Sequence, residues 1–238
     1  MTGFENIEMI VFDVDGTLAE TDDYFVVKAG VLMRKILPFI REGTAEKVMR
    51  PIVMVGETAL HSFYRLLDLV GLDEAISRIH SRFSVGKAYK YDPVEKARET
   101  VELLSRKYKL GIISSGGRKS TDSFLEKYEL KSFFSFVVSA EDCRFIKPHP
   151  MPLLLIARKA DVPIGHCLMV GDTVFDIICA KRAGARSAAV KTGFDTVSFL
   201  RLHKADMLLD SIGDLPDLLL EKTENEIGNS IDKPKDLV

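Results

Sequence analysis

Two aspartates separated by one residue, Asp13 and Asp15, follow an apolar run near the start of the chain. The run spans residues 7–12, with only Glu8 polar, and is typical of a buried strand. A carboxylate at the end of a buried strand is costly unless it is paired or binds a metal ion. Gly16 comes next and allows a turn that most residues resist. This combination is typical of a site for a metal ion or a phosphoryl group.

Polar residues also follow three later apolar runs. They are Ser114, Ser115 and Gly116 after the second predicted strand, Lys147 after the third, and Asp172 with Asp176 after the fourth. Ligand sites in parallel α/β sheets lie at the carboxyl ends of the strands, so we expect these residues at one rim. Four acids cannot lie together ionised without compensating positive charge, and an oxygen-rich site suits Mg²⁺. A Ser-Ser-Gly-Gly turn before a helix offers backbone N–H groups to phosphate.

The elements that would position these residues alternate along the later part of the chain. Strands are predicted at residues 7–12, 110–113, 133–138, 167–170, 186–190 and 207–209, and helices at 121–128, 150–160, 174–183, 196–203 and 214–220. One more helix is predicted to begin with Asp92 as its N-cap, Pro93 at its first position and Glu95 in its first turn. The alternation indicates an α/β fold with a doubly wound, mainly parallel sheet.

The first two predicted strands are separated by much more chain than a crossover needs. The second begins only at Leu110, whereas a parallel crossover takes about a dozen residues. Residues 19–91 carry apolar stripes at helical spacing and are predicted to form an inserted α-helical domain. Residues 1–18 and 92–222 then form the α/β core. Residues 223–238 are charged and nearly unpatterned, as is typical of a flexible tail.

The four motifs, in this order, resemble the haloacid dehalogenase (HAD) superfamily. They are Asp-x-Asp-Gly-Thr, a serine after the second strand, Lys-Pro, and Gly-Asp-x-x-x-Asp, and the resemblance covers about residues 7–18 and 93–215. The insert looks like the helical cap of the phosphoglycolate phosphatase and β-phosphoglucomutase branch. The resemblance implies a HAD-like Rossmannoid core with a cap. It also implies a Mg²⁺-dependent phosphatase that hydrolyses a small phosphate monoester, phosphoglycolate-like or a sugar phosphate.

The same resemblance implies a role for each catalytic residue. Asp13 is expected to be the nucleophile that becomes an aspartyl-phosphate. Asp15 is expected to protonate the leaving oxygen and then to deprotonate the attacking water. Ser114 would hydrogen-bond the phosphoryl group, and Lys147 would balance negative charge at the nucleophile and the phosphate.

Two binding sites accompany these roles. The predicted phosphate-binding residues are Ser114, Ser115, Gly116 and Lys147. Mg²⁺ is expected on the side chains of Asp13 and Asp172 and on the backbone carbonyl of Asp15. Asp176 is expected to support either the metal or Lys147.

Several alternatives stay open at this stage. Members of the superfamily that dehalogenate lack the second aspartate. Because this chain has Asp15, phosphate hydrolysis is favoured over dehalogenation. The Ser114–Gly116 turn is nearer to the pattern of the sugar phosphomutases, whereas Thr17 is nearer to that of the phosphatases. A non-catalytic phosphate-binding or regulatory protein is a third hypothesis. Arg118 and Lys119 are either a solvated helix start or phosphate ligands.

Composition limits the partners. The net charge of −2 over 238 residues gives no global field toward nucleic acid or membrane, and no apolar run is long enough for a membrane helix. No secretory leader is visible, and the three cysteines suit a reducing compartment. Cys167 and Cys179 have apolar neighbours and are predicted in the core. We therefore expect a cytoplasmic enzyme with a small-molecule substrate and no nucleic-acid or membrane partner, and the oligomeric state stays open.

Overall fold

The computed structural model describes residues 4–20 and 91–220, and between them only Val31, Arg34, Arg41, Thr44, Lys47 and Val48. The predicted helical insert at 19–91 and the predicted tail at 223–238 lie almost entirely outside the described residues. The cap and the domain boundaries therefore stay predictions.

A parallel sheet of six strands forms the centre of the described core. The strands are β1 (Met9–Phe12), β2 (Lys109–Ile113), β3 (Phe136–Val138), β4 (Cys167–Gly171), β5 (Arg186–Val190) and β6 (Met207–Leu209). They pair in the order β3-β2-β1-β4-β5-β6, and every pairing is parallel. The predicted α/β class is confirmed. The first strand begins at Met9 and not at residue 7, and the third begins only at Phe136 because residues 131–133 form a 3₁₀ turn.

Helices follow the strands in alternation. They are α1 (Ala97–Ser105), α2 (Arg118–Lys127), α3 (Met151–Ala160), α4 (Val174–Ala183) and α5 (Val197–Leu202), and residues 215–220 are helical as well. Short 3₁₀ turns lie at Lys131–Phe133, Ile164–His166 and Ile212–Asp214. Among the described residues, no helix has the length and apolar character required to cross a membrane.

The predicted start of the helix before β2 is wrong. The helix begins at Ala97, several residues after Asp92, which was predicted as its N-cap. The backbone N–H of Val94 donates to the carbonyl of Leu18 at 3.0 Å, and the N–H of Glu20 donates to the carbonyl of Asp92 at 2.9 Å. These bonds hold the segment extended against the chain that leaves β1. The segments immediately before and after residues 21–90 therefore run side by side.

The sheet is covered on both faces, as a doubly wound fold requires. Ile10 and Phe12 pack on one face with residues of α1 and α2, whereas Met9 and Val11 pack on the other with residues of α3 and α4. Successive residues of a strand point to opposite faces, and helices cover both faces of this sheet. All four β1 side chains are therefore fully buried. Cys167 and Cys179 belong to the second face and are buried and free, so their predicted place in the core is confirmed.

Candidate active site

The carboxyl ends of the three central strands bring several predicted residues to one rim. β1 pairs with β4 so that Phe12 lies opposite Val170, and the N–H of Asp13 donates to the carbonyl of Val170 at 2.9 Å. Asp172 follows one residue after the end of β4 on the same side. On the other side of β1, the N–H of Ser114 continues β2 by donating to the carbonyl of Val138 at 3.0 Å.

Lys147 joins two of the acids at this rim. Its Nζ lies 2.7 Å from Oδ1 of Asp13 and 2.6 Å from Oδ1 of Asp176. The exposed fractions of the three side chains are 3% for Lys147, 8% for Asp13 and 2% for Asp176. Burial by itself lowers the pKa of Lys147, but the two facing carboxylates outweigh burial and hold that pKa above its usual range. The ammonium group is therefore a fixed positive charge beside Asp13.

A third acid adds to a negative charge that Asp13 and Asp176 already bring above what Lys147 balances. Asp13, Asp172 and Asp176 each place one carboxylate oxygen within 4.8 Å of the others, and all three residues are buried. Burial raises the pKa of Asp13 to about 7, with the charges of Asp176 and Asp15 adding to the rise and Lys147 opposing it. Burial, followed by the charges of Asp13 and Asp176, raises the pKa of Asp172 well above its ordinary value. A hard divalent cation fits this excess of buried carboxylate oxygens.

Asp176 has a partner at each carboxylate oxygen. Oδ1 accepts from Lys147, and Oδ2 accepts from the backbone N–H of Thr173 at 3.1 Å and from its hydroxyl at 2.7 Å. Asp176 lies in the first turn of α4, where a negative charge is favourable. A Cβ at Gly171 would lie 2.1 Å from Cγ of Asp176, so glycine is required for the strand to approach this side chain. Asp176 thus positions Lys147 and also caps the start of α4.

The turn after β2 lies beside Lys147. The buried hydroxyl oxygen of Ser114 accepts from the N–H of Gly116 at 3.0 Å, and the N–H of Ala140 donates to the carbonyl of Gly116 at 3.1 Å. Ser114, Ser115 and Lys147 line the same small space. The geometry therefore brings three of the four predicted phosphate-binding residues together, and Gly116 is joined to them by its N–H bond to Ser114.

Comparison with known proteins identifies the family of the chain. A family model described as haloacid dehalogenase-like hydrolase matches residues 10–190. The chain belongs to this hydrolase family. It is 28% identical over 216 residues to "Pyrophosphatase PpaX" of Bacillus cereus strain Q1, covering 90% of this chain and 96% of that relative. A second protein of the same name, from Bacillus cereus strain G9842, is 29% identical over 214 residues, with coverages of 90% and 96%.

Solved structures share the fold. A hydrolase from Pseudomonas syringae has a TM-score of 0.60 at 25% identity, covering 90% of this chain and 98% of its own. A HAD-superfamily hydrolase of subfamily IA from Geobacter sulfurreducens has a TM-score of 0.60 at 20% identity, with coverages of 90% and 97%. A predicted phosphoglycolate phosphatase from Haemophilus somnus 129PT has a TM-score of 0.58 at 18% identity, with coverages of 90% and 98%. The predicted superfamily and hydrolase class are confirmed.

The second aspartate of this HAD hydrolase lies in a tight turn after β1. Asp15 is half-buried, unlike Asp13. Gly16 follows with φ +77°, and its N–H donates to the carbonyl of Ala19 at 2.9 Å. A Cβ at Gly16 would lie 2.3 Å from Oδ2 of Asp172, so the position requires glycine for its conformation and for space. The turn thus leaves Asp15 more open to solvent than the buried acids.

The structure favours a structural role for Arg118. Its guanidinium donates to the carbonyl of Val137 and to Oδ2 of Asp142, both at 2.9 Å. These bonds tie the first residue of α2 to β3 and to the loop that follows it. Lys119 is exposed. Both observations agree with the interpretation of these residues as a helix start.

The HAD hydrolase has one more loop at the rim, which the sequence analysis missed. Residues 191–195 follow β5, and the N–H of Phe194 donates to Oδ2 of Asp172 at 2.9 Å. The hydroxyl of Thr17, also not assigned from sequence, donates to Oδ1 of Asp172 at 3.1 Å. A Thr-Gly pair shortly after the fifth strand was the available signal, since it occupies the same position as the polar residues after the other strands.

Proposed function

We propose that the chain is a Mg²⁺-dependent phosphatase that hydrolyses a small phosphate monoester through an aspartyl-phosphate on Asp13. The observation that supports this most strongly is the contact of Lys147 with Asp13 beside Asp172. A buried carboxylate that is paired with a fixed ammonium group, in a cluster with excess negative charge, suits phosphoryl transfer. That reaction requires positioning and charge stabilisation more than elaborate chemistry.

In the first step, a carboxylate oxygen of Asp13 forms a bond to phosphorus while the bond from phosphorus to the ester oxygen breaks. Asp15 gives its proton to that leaving oxygen. The hydroxyl of Ser114 and the ammonium of Lys147 bind phosphoryl oxygens and stabilise the charge that they carry. Ser114 and Lys147 line one common space, which supports assigning both side chains to the phosphoryl group.

In the second step, Asp15 removes a proton from water, and the water oxygen forms a bond to phosphorus. The bond from phosphorus to Asp13 breaks, which restores the carboxylate and releases inorganic phosphate. Mg²⁺ would be held by the side chains of Asp13 and Asp172 and by the carbonyl of Asp15, and it supplies positive charge for the phosphoryl oxygens. The half-buried position of Asp15 suits a group that exchanges protons with solvent.

The substrate class follows from the motifs and from the relatives. The resemblance in sequence supports phosphoglycolate-like esters or sugar phosphates as substrates. The relatives named pyrophosphatase, at 28% and 29% identity over nine-tenths of the chain, favour inorganic pyrophosphate as a second candidate. In that case Asp13 would attack one phosphorus and the other phosphate would leave.

Release of inorganic phosphate tests the proposal. We expect release from at least one of phosphoglycolate, a hexose phosphate and pyrophosphate, with activity lost when a chelator replaces Mg²⁺. Asp13→Asn should lower the rate by at least about 10⁴-fold. Asp161→Asn is the matched control, because Asp161 is exposed at the end of α3, away from the rim, and it should keep wild-type activity.

Other outcomes would contradict the proposal. Release that persists in Asp13→Asn would exclude Asp13 as the nucleophile. Interconversion of hexose phosphates without net release of phosphate would indicate a phosphomutase. Absence of turnover on the whole panel would favour a non-catalytic phosphate-binding role.

A further inference from the structure

Asp172 is enclosed by the loops on both sides of its strand. β4 lies between β1 and β5 in the sheet, so the turn after β1 and the loop after β5 flank the carboxylate. Thr17, from the first loop, donates its hydroxyl to Oδ1 at 3.1 Å. Phe194, from the second, donates its N–H to Oδ2 at 2.9 Å. Each carboxylate oxygen of Asp172 therefore has a donor from a different loop.

Glycine lets both loops approach the carboxylate. A Cβ at Gly193 would lie 2.0 Å from Oδ2 of Asp172, and a Cβ at Gly16 would lie 2.3 Å from the same atom. Gly16 also has a positive φ, whereas Gly193 is outside that region. The requirement for glycine at 193 is therefore one of space alone. Alanine there would push against the side chain of Asp172, whose Cβ and Cγ would each lie 2.4 Å from the added methyl group.

The loop after β5 is itself fixed at two points. The hydroxyl of Thr192 donates to the carbonyl of Gly16 at 3.1 Å, which joins the two loops above Asp172. The buried carboxylate of Asp195 accepts from the N–H of Val174 at 2.7 Å, which joins the loop to the start of α4. The segment between these contacts is thus held at both ends.

We propose that residues 192–194 are positioning residues that fix the Asp172 carboxylate for the divalent cation. This inference rests on the proposed function, in which Asp172 is a metal ligand. A carboxylate oxygen has two lone-pair directions, and a fixed donor on one of them orients the other. Groups that orient a metal ligand in this way typically change metal affinity by about 10- to 100-fold when they are removed.

The test compares Gly193→Ala with Gly165→Ala. A Cβ at Gly165 would have no atom within 4 Å, so that substitution adds the same methyl group in open space. Two quantities are measured: the Mg²⁺ concentration that gives half-maximal phosphate release, and the rise in melting temperature that Mg²⁺ causes without substrate. We expect Gly193→Ala to raise the half-saturating concentration by at least about tenfold and to reduce the melting shift, with Gly165→Ala unchanged in both.

A second pair of variants tests the loop without adding volume near Asp172. Thr192→Val removes the hydroxyl that donates to Gly16, and Thr192→Ser keeps a hydroxyl. We expect the valine variant to require more Mg²⁺ and the serine variant to keep the wild-type requirement. This pair provides the test if Gly193→Ala does not fold.

The inference is overturned if Gly193→Ala or Thr192→Val folds and keeps the wild-type response to Mg²⁺ in both measurements. It is also overturned if Mg²⁺ leaves the melting temperature of the wild-type protein unchanged. If no ester is hydrolysed but the melting shift still falls in the variants, the proposed function fails and the positioning of Asp172 stands. The melting measurement therefore separates the two failures.

Discussion

At the scale of single residues, the site depends on one lysine among buried acids. Lys147 contacts Asp13 and Asp176 at 2.7 and 2.6 Å, and all three side chains are almost completely buried. Burying charges is unfavourable by itself, and removing one partner leaves the others uncompensated. The same contact that the chemistry requires should therefore also stabilise the fold.

Replacing this lysine should cost both stability and activity. We expect Lys147→Met to lower the free energy of unfolding by about 3–5 kcal/mol in metal-free buffer, since Asp13 and Asp176 lose their counter-charge. We also expect its kcat to fall by about 10²- to 10³-fold. Urea denaturation and phosphate release measure the two effects. Lys159→Met, at an exposed position of α3, should change the free energy of unfolding by less than about 0.5 kcal/mol.

At the scale of secondary structure elements, parallel strands align the residues of the proposed active site. The apolar runs predicted the strands well, because buried parallel strands read as continuous apolar segments. The polar residues after four of them predicted which side chains meet at the rim. One carboxylate oxygen from each of Asp13, Asp172 and Asp176 indeed lies within 4.8 Å of the other two.

The elements that sequence reasoning misplaced depend on contacts between distant segments. Asp92 has the pattern of an N-cap. However, Leu18 and Glu20, which are far away in the chain, form hydrogen bonds with residues 92–94, and the helix begins only at Ala97. The loop after β5 was missed because the donor to Asp172 is a backbone N–H, which is common to almost every residue. The Thr-Gly pair after β5 marks the loop in the sequence, but only the fold reveals that the N–H of Phe194 points to Asp172.

Helix α3 offers a test of how the sheet and its helices are packed. Ile156 is fully buried against one face of the sheet, whereas Leu154, on the same helix, is 38% exposed. We expect Ile156→Ala to lower the free energy of unfolding by about 2–5 kcal/mol, because it leaves a cavity. Leu154→Ala should cost less than about 1 kcal/mol. Urea denaturation measures both free energies of unfolding, provided that the m-value is unchanged. Equal losses of stability in Ile156→Ala and Leu154→Ala would contradict the packing described for α3.

At the scale of the whole molecule, the buried acids couple stability to pH and, if they bind metal as proposed, to metal as well. Burial raises the pKa of Asp13 in the folded protein to about 7, from an ordinary value of 3.8. The folded state therefore holds a proton that the unfolded state releases, and this contribution to stability is lost as pH rises between those two values. A bound divalent cation would replace the proton and restore stability at the higher pH.

This coupling predicts that Mg²⁺ stabilises the protein more at about pH 8 than at about pH 5. At a concentration about 100 times its dissociation constant, a metal ion that binds only the folded state adds about 2.7 kcal/mol. Melting temperatures with Mg²⁺ and with chelator, at both pH values, measure the effect. Asp172→Asn should reduce the difference between the two pH values. A larger Mg²⁺ effect at the lower pH would contradict the assignment of these acids to the metal.

In the proposed mechanism, Asp13 carries the phosphoryl group between the two steps. In this mechanism Asp15→Asn removes the base that activates water, and an aryl phosphate substrate has a leaving group that needs no acid. Acid quenching followed by mass spectrometry of the peptide that contains residue 13 measures the intermediate. We expect Asp15→Asn to accumulate one phosphoryl group on Asp13 and Asp13→Asn to show none. Phosphate release from wild-type protein, with no phosphoryl group on Asp13 in Asp15→Asn at any quench time, would contradict an aspartyl-phosphate intermediate on Asp13.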